Sequence, residues 1–184
     1  MKKVIWKPYW NFEKEEIWIN DMAEQGWSLV KYTWCRYVFE QTPKGKYAYR
    51  LELLEHAPGS RESRDYLRFM EDAGVEVVST YMRWVYFRKE SSDGPFDIYT
   101  DADSKIKHYG RVKSLVLFFA ILEFVAGGMN FVVGLMAFLR GGEAPRFTFW
   151  LSIGLLGLGF FLYSLAAAMG RRIKTLEVEK TIRE

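Results

Sequence analysis

The chain has 184 residues, 49% hydrophobic and 27% charged, with a net charge of +3. That composition excludes a wholly disordered chain, and so small a net charge argues against polyanion binding as the main task. The lone cysteine, Cys35, cannot form an internal disulfide, so nothing points to an oxidising compartment.

The averages conceal a division. Residues 1–113 hold 19 of the 26 Lys and Arg and 18 of the 23 Asp and Glu. Residues 114–170 hold only Glu123, Arg140, Glu143 and Arg146. An amphiphilic front part is therefore followed by a very apolar one. The N-terminus is basic but has no apolar run behind it, so it does not read as a secretory signal.

In chain order, Val4, Ile5 and Trp6 mark a short strand over residues 3–10. Asn11 is placed to cap a helix over 12–25, with Phe12, Ile17, Trp18 and Met22 as its apolar positions and Gly26 as its stop. The carboxylates Glu13, Glu15 and Glu16 fall in the first turn, where they suit the positive end of the helix dipole; they read as a solvated face. Strand-like residues fill 27–41, and Thr42-Pro43-Lys44-Gly45 reads as a turn. Residues 46–54 alternate, with Tyr47, Tyr49, Leu51 and Leu53 on one face. After the break at Ala57-Pro58-Gly59-Ser60, a second helix over 61–73 ends at Gly74. Strands at 75–80 and 83–88 follow.

An offset of 48 relates Met22, Gly26, Leu29, Val30 and Phe39 to Met70, Gly74, Val77, Val78 and Phe87. It suggests two related halves around one sheet. The expected fold class is α+β: an N-terminal ferredoxin-like antiparallel sheet with two helices, followed by a two-helix transmembrane hairpin.

Residues 1–90 are read as a cytosolic α+β domain and 91–113 as a linker and juxtamembrane helix. Thr100 and Asp103 have the spacing of an acidic capping box. Asp101-Ala102-Asp103-Ser104 lacks the glycine and closing Glu of a calcium loop, so no metal is expected there. Transmembrane helices are expected at 114–139 and 147–169, joined by an external loop at 140–146 and followed by a cytosolic tail at 170–184. Twenty-three helical residues reach roughly 35 Å, enough for a hydrocarbon core of about 30 Å. Glu123 opposes insertion by about 3 kcal/mol. The fifteen Leu, Ile, Val and Phe of residues 115–139 outweigh it, at roughly −0.3 to −0.6 kcal/mol each near the centre.

Lys105, Lys107, Arg111 and Lys113 precede the first span, and Arg171, Arg172 and Lys174 follow the second. The positive-inside rule then puts both termini in the cytoplasm. Ala120, Glu123, Gly127, Asn130, Gly134 and Ala137 share one side of the first span. Gly154, Gly157, Ser164 and Ala168 offer a matching stripe on the second, for a hairpin or for a copy. Tyr163 and Ser164 lie at about the depth of Glu123 and are its expected partners. Glu123 reads either as a packing residue or as a proton or cation site.

Several segments carry a resemblance. They are Trp10-Asn11-Phe12-Glu13-Lys14-Glu15-Glu16, the run Trp18 to Trp27, Tyr47-Ala48-Tyr49-Arg50-Leu51, Phe69-Met70-Glu71-Asp72-Ala73-Gly74, Trp84-Val85-Tyr86-Phe87-Arg88-Lys89 and Ile98-Tyr99-Thr100-Asp101. Together, over about residues 5–113, they resemble an uncharacterised bacterial membrane family catalogued as a domain of unknown function. The resemblance implies a cytosolic module before membrane helices, in the bacterial inner membrane. It also implies a genomic neighbourhood with PadR-type transcription regulators. It supplies no catalytic residues.

Chemistry-bearing motifs are few. His56 and His108 are the two histidines, and no triad, zinc spacing, phosphate loop or Rossmann pattern appears, so neither an enzyme nor a cofactor is expected. Cys35 reads as an inert strand residue. Lys44-Gly45-Lys46-Tyr47-Ala48-Tyr49 only faintly matches an RNA-recognition strand, and Lys46 interrupts it; no nucleic acid is expected. Residues 1–88 hold six Trp, eight Tyr and four Phe. These rings fill a small core or leave a patch for a ligand. Arg36, Arg50, Arg83 and Arg88 lie on neighbouring strand candidates, placed to stack on rings or recruit an acidic group.

The candidate ligand or partner surface is Trp34, Arg36, Tyr47, Tyr49, Arg50, Trp84 and Tyr86. The expectation is a non-enzymatic regulatory or sensor-like module that binds a protein, such as a regulator or transporter, or an amphipathic ligand. The alternative is a small oligomeric transport accessory using Glu123, Gly127, Asn130 and Gly134. The expected partners are the lipid bilayer and, through the transmembrane helices, a second copy.

Overall fold

The computed structural model describes residues 1–99, 101–140 and 146–183. The chain divides into two units, Met1–Thr100 and Asp101–Glu184.

The first unit is a duplicated β-α-β-β chain. The first copy is β1 (Lys2–Trp6), α1 (Phe12–Glu24), β2 (Trp27–Thr33) and β3 (Arg36–Gln41). The second is β4 (Tyr47–Leu53), α2 (Arg61–Asp72), β5 (Glu76–Tyr81) and β6 (Trp84–Glu90). Each copy forms its own antiparallel sheet, in the orders β1-β3-β2 and β4-β6-β5. The expected offset of 48 is present in the backbone. The register of β2 on β3 slips between Leu29 and Lys31, and that of β5 on β6 slips between Val77 and Ser79.

Both helices begin and end on the residues their chemistry favours. Asn11 Oδ1 accepts the Lys14 N–H at 3.0 Å, and Ser60 Oγ accepts the Ser63 N–H at 3.1 Å. Gly26 and Gly74 follow the helices at φ 86° and 80°, a left-handed conformation that costs glycine little.

The α+β class is as expected, but one sheet has become two. The β2 and β5 edges meet through a side chain rather than a backbone ladder. Ser79 Oγ accepts the Tyr32 N–H at 3.2 Å and donates to the Tyr32 carbonyl at 3.0 Å. The strand-like stretch 27–41 forms two strands, β2 and β3, joined by a turn at Trp34 and Cys35 with φ 30° and 62°. Cys35 is thus a turn residue, not a strand residue.

Two cores stabilise this unit. One gathers Ile19, Met22 and Ala23 of α1, Leu29, Tyr37 and Phe39 of the first sheet, and Tyr49, Leu51 and Tyr86 of the second. The other gathers Met70 of α2 with Val85 and Phe87 of the second sheet, and with Leu54, Val75 and Phe96. At roughly 1.5–3 kcal/mol per fully buried large apolar side chain, both faces of the second sheet are strongly held. The first sheet is held on one face only.

The second unit is two long helices, α3 (Ala102–Leu139) and α4 (Arg146–Arg183). Both are long and apolar enough to cross a membrane, with mean hydropathies of 2.1 and 1.9. Their apolar windows are only 11% and 17% buried, the reverse of a soluble core helix. Asp101 caps α3 by accepting the Ser104 N–H. The expected Thr100 cap lies outside the described residues, and Asp103 instead pairs with Lys180 at 2.9 Å. The expected loop residues 141–145 also lie outside the described residues.

The helices run antiparallel. A Cβ on Gly127 would lie 2.9 Å from Leu156 Cγ, one on Gly134 would meet Thr148 and Phe149, and one on Gly159 would meet Phe124. Ala120, Gly127 and Gly134 of α3 are buried, as are Ser152, Gly159 and Ala166 of α4. Both sets recur every seven residues, the period of a packed helix pair. The α3 stripe is therefore the expected one. The expected α4 stripe is not: Gly154, Gly157, Ser164 and Ala168 are exposed. Spacing alone cannot choose between two small-residue faces, whereas insertion of Leu156 against Gly127 does.

Candidate functional site

Three polar side chains of α1, those of Glu15, Glu16 and Asn20, are spent inside the fold. Glu15, read from sequence as solvated, is 8% exposed. Its Oε1 accepts the hydroxyls of Tyr37, at 2.8 Å, and Tyr86, at 2.6 Å. Burial holds the Glu15 carboxyl above the ordinary carboxylate range, against the lowering effect of both hydroxyls. The same burial and the adjacent Glu15 charge push both phenols up. Tyr32 packs beside them with its ring tilted, its centroid 4.6 Å from that of Tyr86 and 4.8 Å from that of Tyr37.

The next residues of α1 close the outer edge of β4. Asn20 Oδ1 accepts the Tyr49 N–H at 2.8 Å, and Asn20 Nδ2 donates to the Tyr49 carbonyl at 3.0 Å. Glu16 Oε2 accepts the Leu51 N–H at 2.8 Å. Burial raises the Glu16 carboxyl, opposed by that N–H and by Arg50. Free strand edges invite pairing with other chains, and these side chains remove one. The solvated-face reading fails for Glu15 and Glu16 because their partners sit on strands that close over α1.

The arginines also find partners at home. Arg50 lies 3.5 Å from Glu16 and over the Phe96 ring, with its Cζ 5.9 Å from the centroid. Arg83 donates to the carbonyls of Leu54 and Glu55. Arg88 bonds Glu76 at 2.7 Å and stacks 4.3 Å from the Tyr47 centroid.

Of the sequence-read surface, Tyr49 and Tyr86 are interior. Tyr49 OH donates to the Leu29 carbonyl, and Tyr86 OH to Glu15. Tyr47, Arg50 and Trp84 are half-buried around the second sheet, Trp84 with its ring 5.6 Å from Phe12. Trp34 and Arg36 stand apart from them. Trp34, 69% exposed, is at the tip of the β2–β3 turn, and Arg36 pairs in register with Trp6, itself 66% exposed.

That pair belongs to an open face. Residues directly opposite in an antiparallel pair share a face. Lys3, Ile5, Tyr37 and Phe39 are therefore on the inner face of the first sheet, and Lys2, Val4 and Trp6 are on the outer face with Arg36, Val38 and Glu40. Past its register slip, β2 adds Lys31 and Thr33 to the outer face. All of these are exposed or half-exposed; Ser28, opposite Glu40 before the slip, is buried and hydrogen-bonded to Thr42. β1 reads Lys-Lys-Val-Ile-Trp, with no polar–apolar alternation, so the sequence marks the strand but not which of its residues face outward.

In the second unit, Glu123, Gly127, Asn130 and Gly134 lie along α3, with Gly127 and Gly134 in the contact with α4. Ser164 Oγ donates to the Phe161 carbonyl of its own helix, Tyr163 is exposed, and Glu123 Oε2 is buried without a hydrogen-bond partner among the described residues. The Asn130 amide likewise bonds its own helix at Ala126. Among the described residues, no three His, Cys, Asp or Glu side chains gather as metal ligands.

One family model matches residues 11–121. The chain belongs to the DUF2812 family, described as a protein of unknown function. The match takes in α1 to β6 and continues into α3, close to the extent of the resemblance read from the segments above. Comparison with curated proteins and with solved structures finds no match.

Proposed function

We propose that this chain is a membrane-anchored, non-enzymatic regulatory module. Its α+β unit binds a protein or an amphipathic ligand on the outer face of the first sheet, and α3 and α4 hold it in the bilayer with both termini in the cytoplasm. One observation carries the reading. The carboxylates Glu15 and Glu16 and the guanidinium groups of Arg50, Arg83 and Arg88 are engaged within the fold, while Trp6, Trp34, Lys31 and Arg36 are left outward. An exposed aromatic and basic surface beside an internally satisfied core is the pattern of a binding module. The basic flanks at Lys105–Lys113 and Arg171–Lys174 support the orientation.

Two measurements test it. A membrane-impermeant maleimide should label Cys35 only after cells are opened; labelling of intact cells would reverse the orientation. The full-length chain and its Trp6→Ser/Trp34→Ser variant should then be captured from detergent extracts. A partner held by the first and lost by the second supports the module; identical partner sets for both remove it.

A further inference from the structure

The outer face of the first sheet has a counterpart in the second. An offset of 48 carries Arg36, Val38 and Glu40 onto Trp84, Tyr86 and Arg88. The sheet registers match Lys2, Val4 and Trp6 to Tyr49, Leu51 and Leu53. In the second copy, Tyr49, Leu51 and Tyr86 of this face are buried in the core that contains α1. In the first copy nothing similar happens: Lys2, Val4, Trp6, Lys31 and Thr33 are exposed. The duplication thus ends on one face that its own logic would cover.

A second copy of the chain is a poor cover. The layer that seals the second sheet is α1, bringing Glu15, Glu16 and Asn20. At the same offset α2 carries Ser63, Arg64 and Arg68. It would bring cations onto a face that already holds Lys2, Lys31 and Arg36 against the single carboxylate Glu40, itself 3.1 Å from Lys2. Strand addition at the β1 edge is discouraged too, because Lys2 and Lys3 line that short strand.

The remaining chemistry is a cationic face that presents Trp6, with Trp34 at the tip of the adjoining β2–β3 turn, on a chain with two helices long and apolar enough to cross a bilayer. Indole rings favour the headgroup level of a membrane, and Lys and Arg side chains reach the phosphates while their stems cover apolar surface. Tethering makes the encounter intramolecular, so weak contacts suffice. We propose that the outer face of the first sheet, through Trp6, Lys31 and Arg36 and with Trp34 of the adjoining turn, docks on the anionic lipid headgroups of the bilayer that holds α3 and α4. This rests on the binding-module reading above and names its partner as lipid. Docking by Lys and Arg to anionic headgroups is salt-sensitive, and a Trp-to-bilayer contact is not specific to one headgroup, so the composition of the lipid separates the two contributions.

The test uses purified full-length chain, one copy per nanodisc, labelled at Cys35 with an environment-sensitive fluorophore. Cys35 lies between Trp34 and Arg36, and no other cysteine competes. Discs of phosphatidylcholine are compared with discs of equimolar phosphatidylcholine and phosphatidylglycerol. The expected result is a blue shift in the anionic discs that high salt reverses. Each neutralised cation should weaken docking about fivefold, so Lys31→Gln/Arg36→Gln should weaken it about 25-fold. Glu40→Gln should strengthen docking. Thr33→Cys in a Cys35→Ser background repeats the reading from the face itself. Identical emission in both discs overturns the proposal. So does a shift that neither charge variant alters, or one that appears only with two chains per disc. Because lipid and chain are the only components, such a failure leaves the capture of a protein partner untouched.

Discussion

Tyr37 and Tyr86 belong to different sheets and donate to one oxygen, Glu15 Oε1, at 2.8 and 2.6 Å. A carboxylate on α1 is therefore one polar link between the two copies of the duplicated unit. Six of the seven Trp lie in that unit, so Trp fluorescence of the detergent-purified chain reports on its unfolding. Glu15→Gln keeps an acceptor for a hydroxyl and removes a charge that burial disfavours, so its stability at neutral pH should match or exceed that of the native chain. Glu15→Ala leaves two buried hydroxyls without their acceptor and should cost about 2–4 kcal/mol. Equal loss in both variants would show that the charge, rather than the acceptor, makes the link.

The same group sets a pH dependence. Burial raises the folded Glu15 carboxyl above the ordinary 4.5, and Glu16 shifts the same way for the same first cause. A carboxyl raised on folding holds its proton more tightly in the folded chain. Its contribution to stability is fully present below pH 4.5 and is lost as pH rises through the folded value. Within that window each group contributes a slope of at most about 1.4 kcal/mol per pH unit. The exposed Glu62 and Asp101 are lowered by hydrogen bonds and act in the opposite direction. The informative quantity is thus native minus Glu15→Gln, measured by denaturant titration across pH 4 to 8. That difference should fall as pH rises; a flat or rising difference contradicts the burial account.

Much of this fold was legible because its signals are local. Asn11, Gly26, Ser60 and Gly74 announce helix ends through groups three residues away or through their own φ. The offset of 48 announced the duplication. Glu15 was illegible because its partners are 22 and 71 residues distant, and nothing in a first-turn Glu tells of them. The turn at Trp34 and Cys35 was illegible for a different reason: it has left-handed backbone without the Asn or Gly that usually marks it. The open outer face became visible only when the register assigned each side chain to a side.

That unusual turn makes its own prediction. Left-handed conformation costs an ordinary L-residue roughly 1–2 kcal/mol and glycine little. Cys35→Gly should therefore stabilise the first unit by about 1 kcal/mol, offset in part by the extra freedom of the unfolded chain. Met82, at φ 54° in the equivalent turn of the second copy, should behave alike. Denaturant midpoints of Cys35→Gly and Met82→Gly are the measurement. Two destabilised variants would mean that packing of the native side chains outweighs the backbone term.

The joint between the sheets is similarly testable. Ser79 Oγ serves both the N–H and the carbonyl of Tyr32 and thereby substitutes for a backbone ladder between β5 and β2. Ser79→Ala removes both bonds with little change in shape. The expected cost is about 1–3 kcal/mol, with faster amide exchange at Tyr32 while the amides of β6 stay protected. Unchanged exchange at Tyr32 would show that another group holds the seam.

In the second unit, Gly127 is the position where the two helices allow least. A Cβ there would lie 2.9 Å from Leu156 Cγ and 3.1 Å from the Leu156 backbone nitrogen, whereas one on the neighbouring Gly128 meets nothing within 4 Å. Leucine's side chain can swing aside, but the backbone nitrogen moves only with the helix. Gly127→Ala should therefore force α3 and α4 apart and cost about 1–3 kcal/mol, while Gly128→Ala, on the same helix with the same gain in propensity, should be neutral or slightly stabilising. Thermal unfolding in detergent, followed by helical circular dichroism, compares the two. If Gly127→Ala melts with Gly128→Ala, the close approach of the helices at Leu156 is not what holds the hairpin, and the exposed stripe of Gly154, Gly157, Ser164 and Ala168 becomes the alternative contact face to test by the same substitution at Gly157.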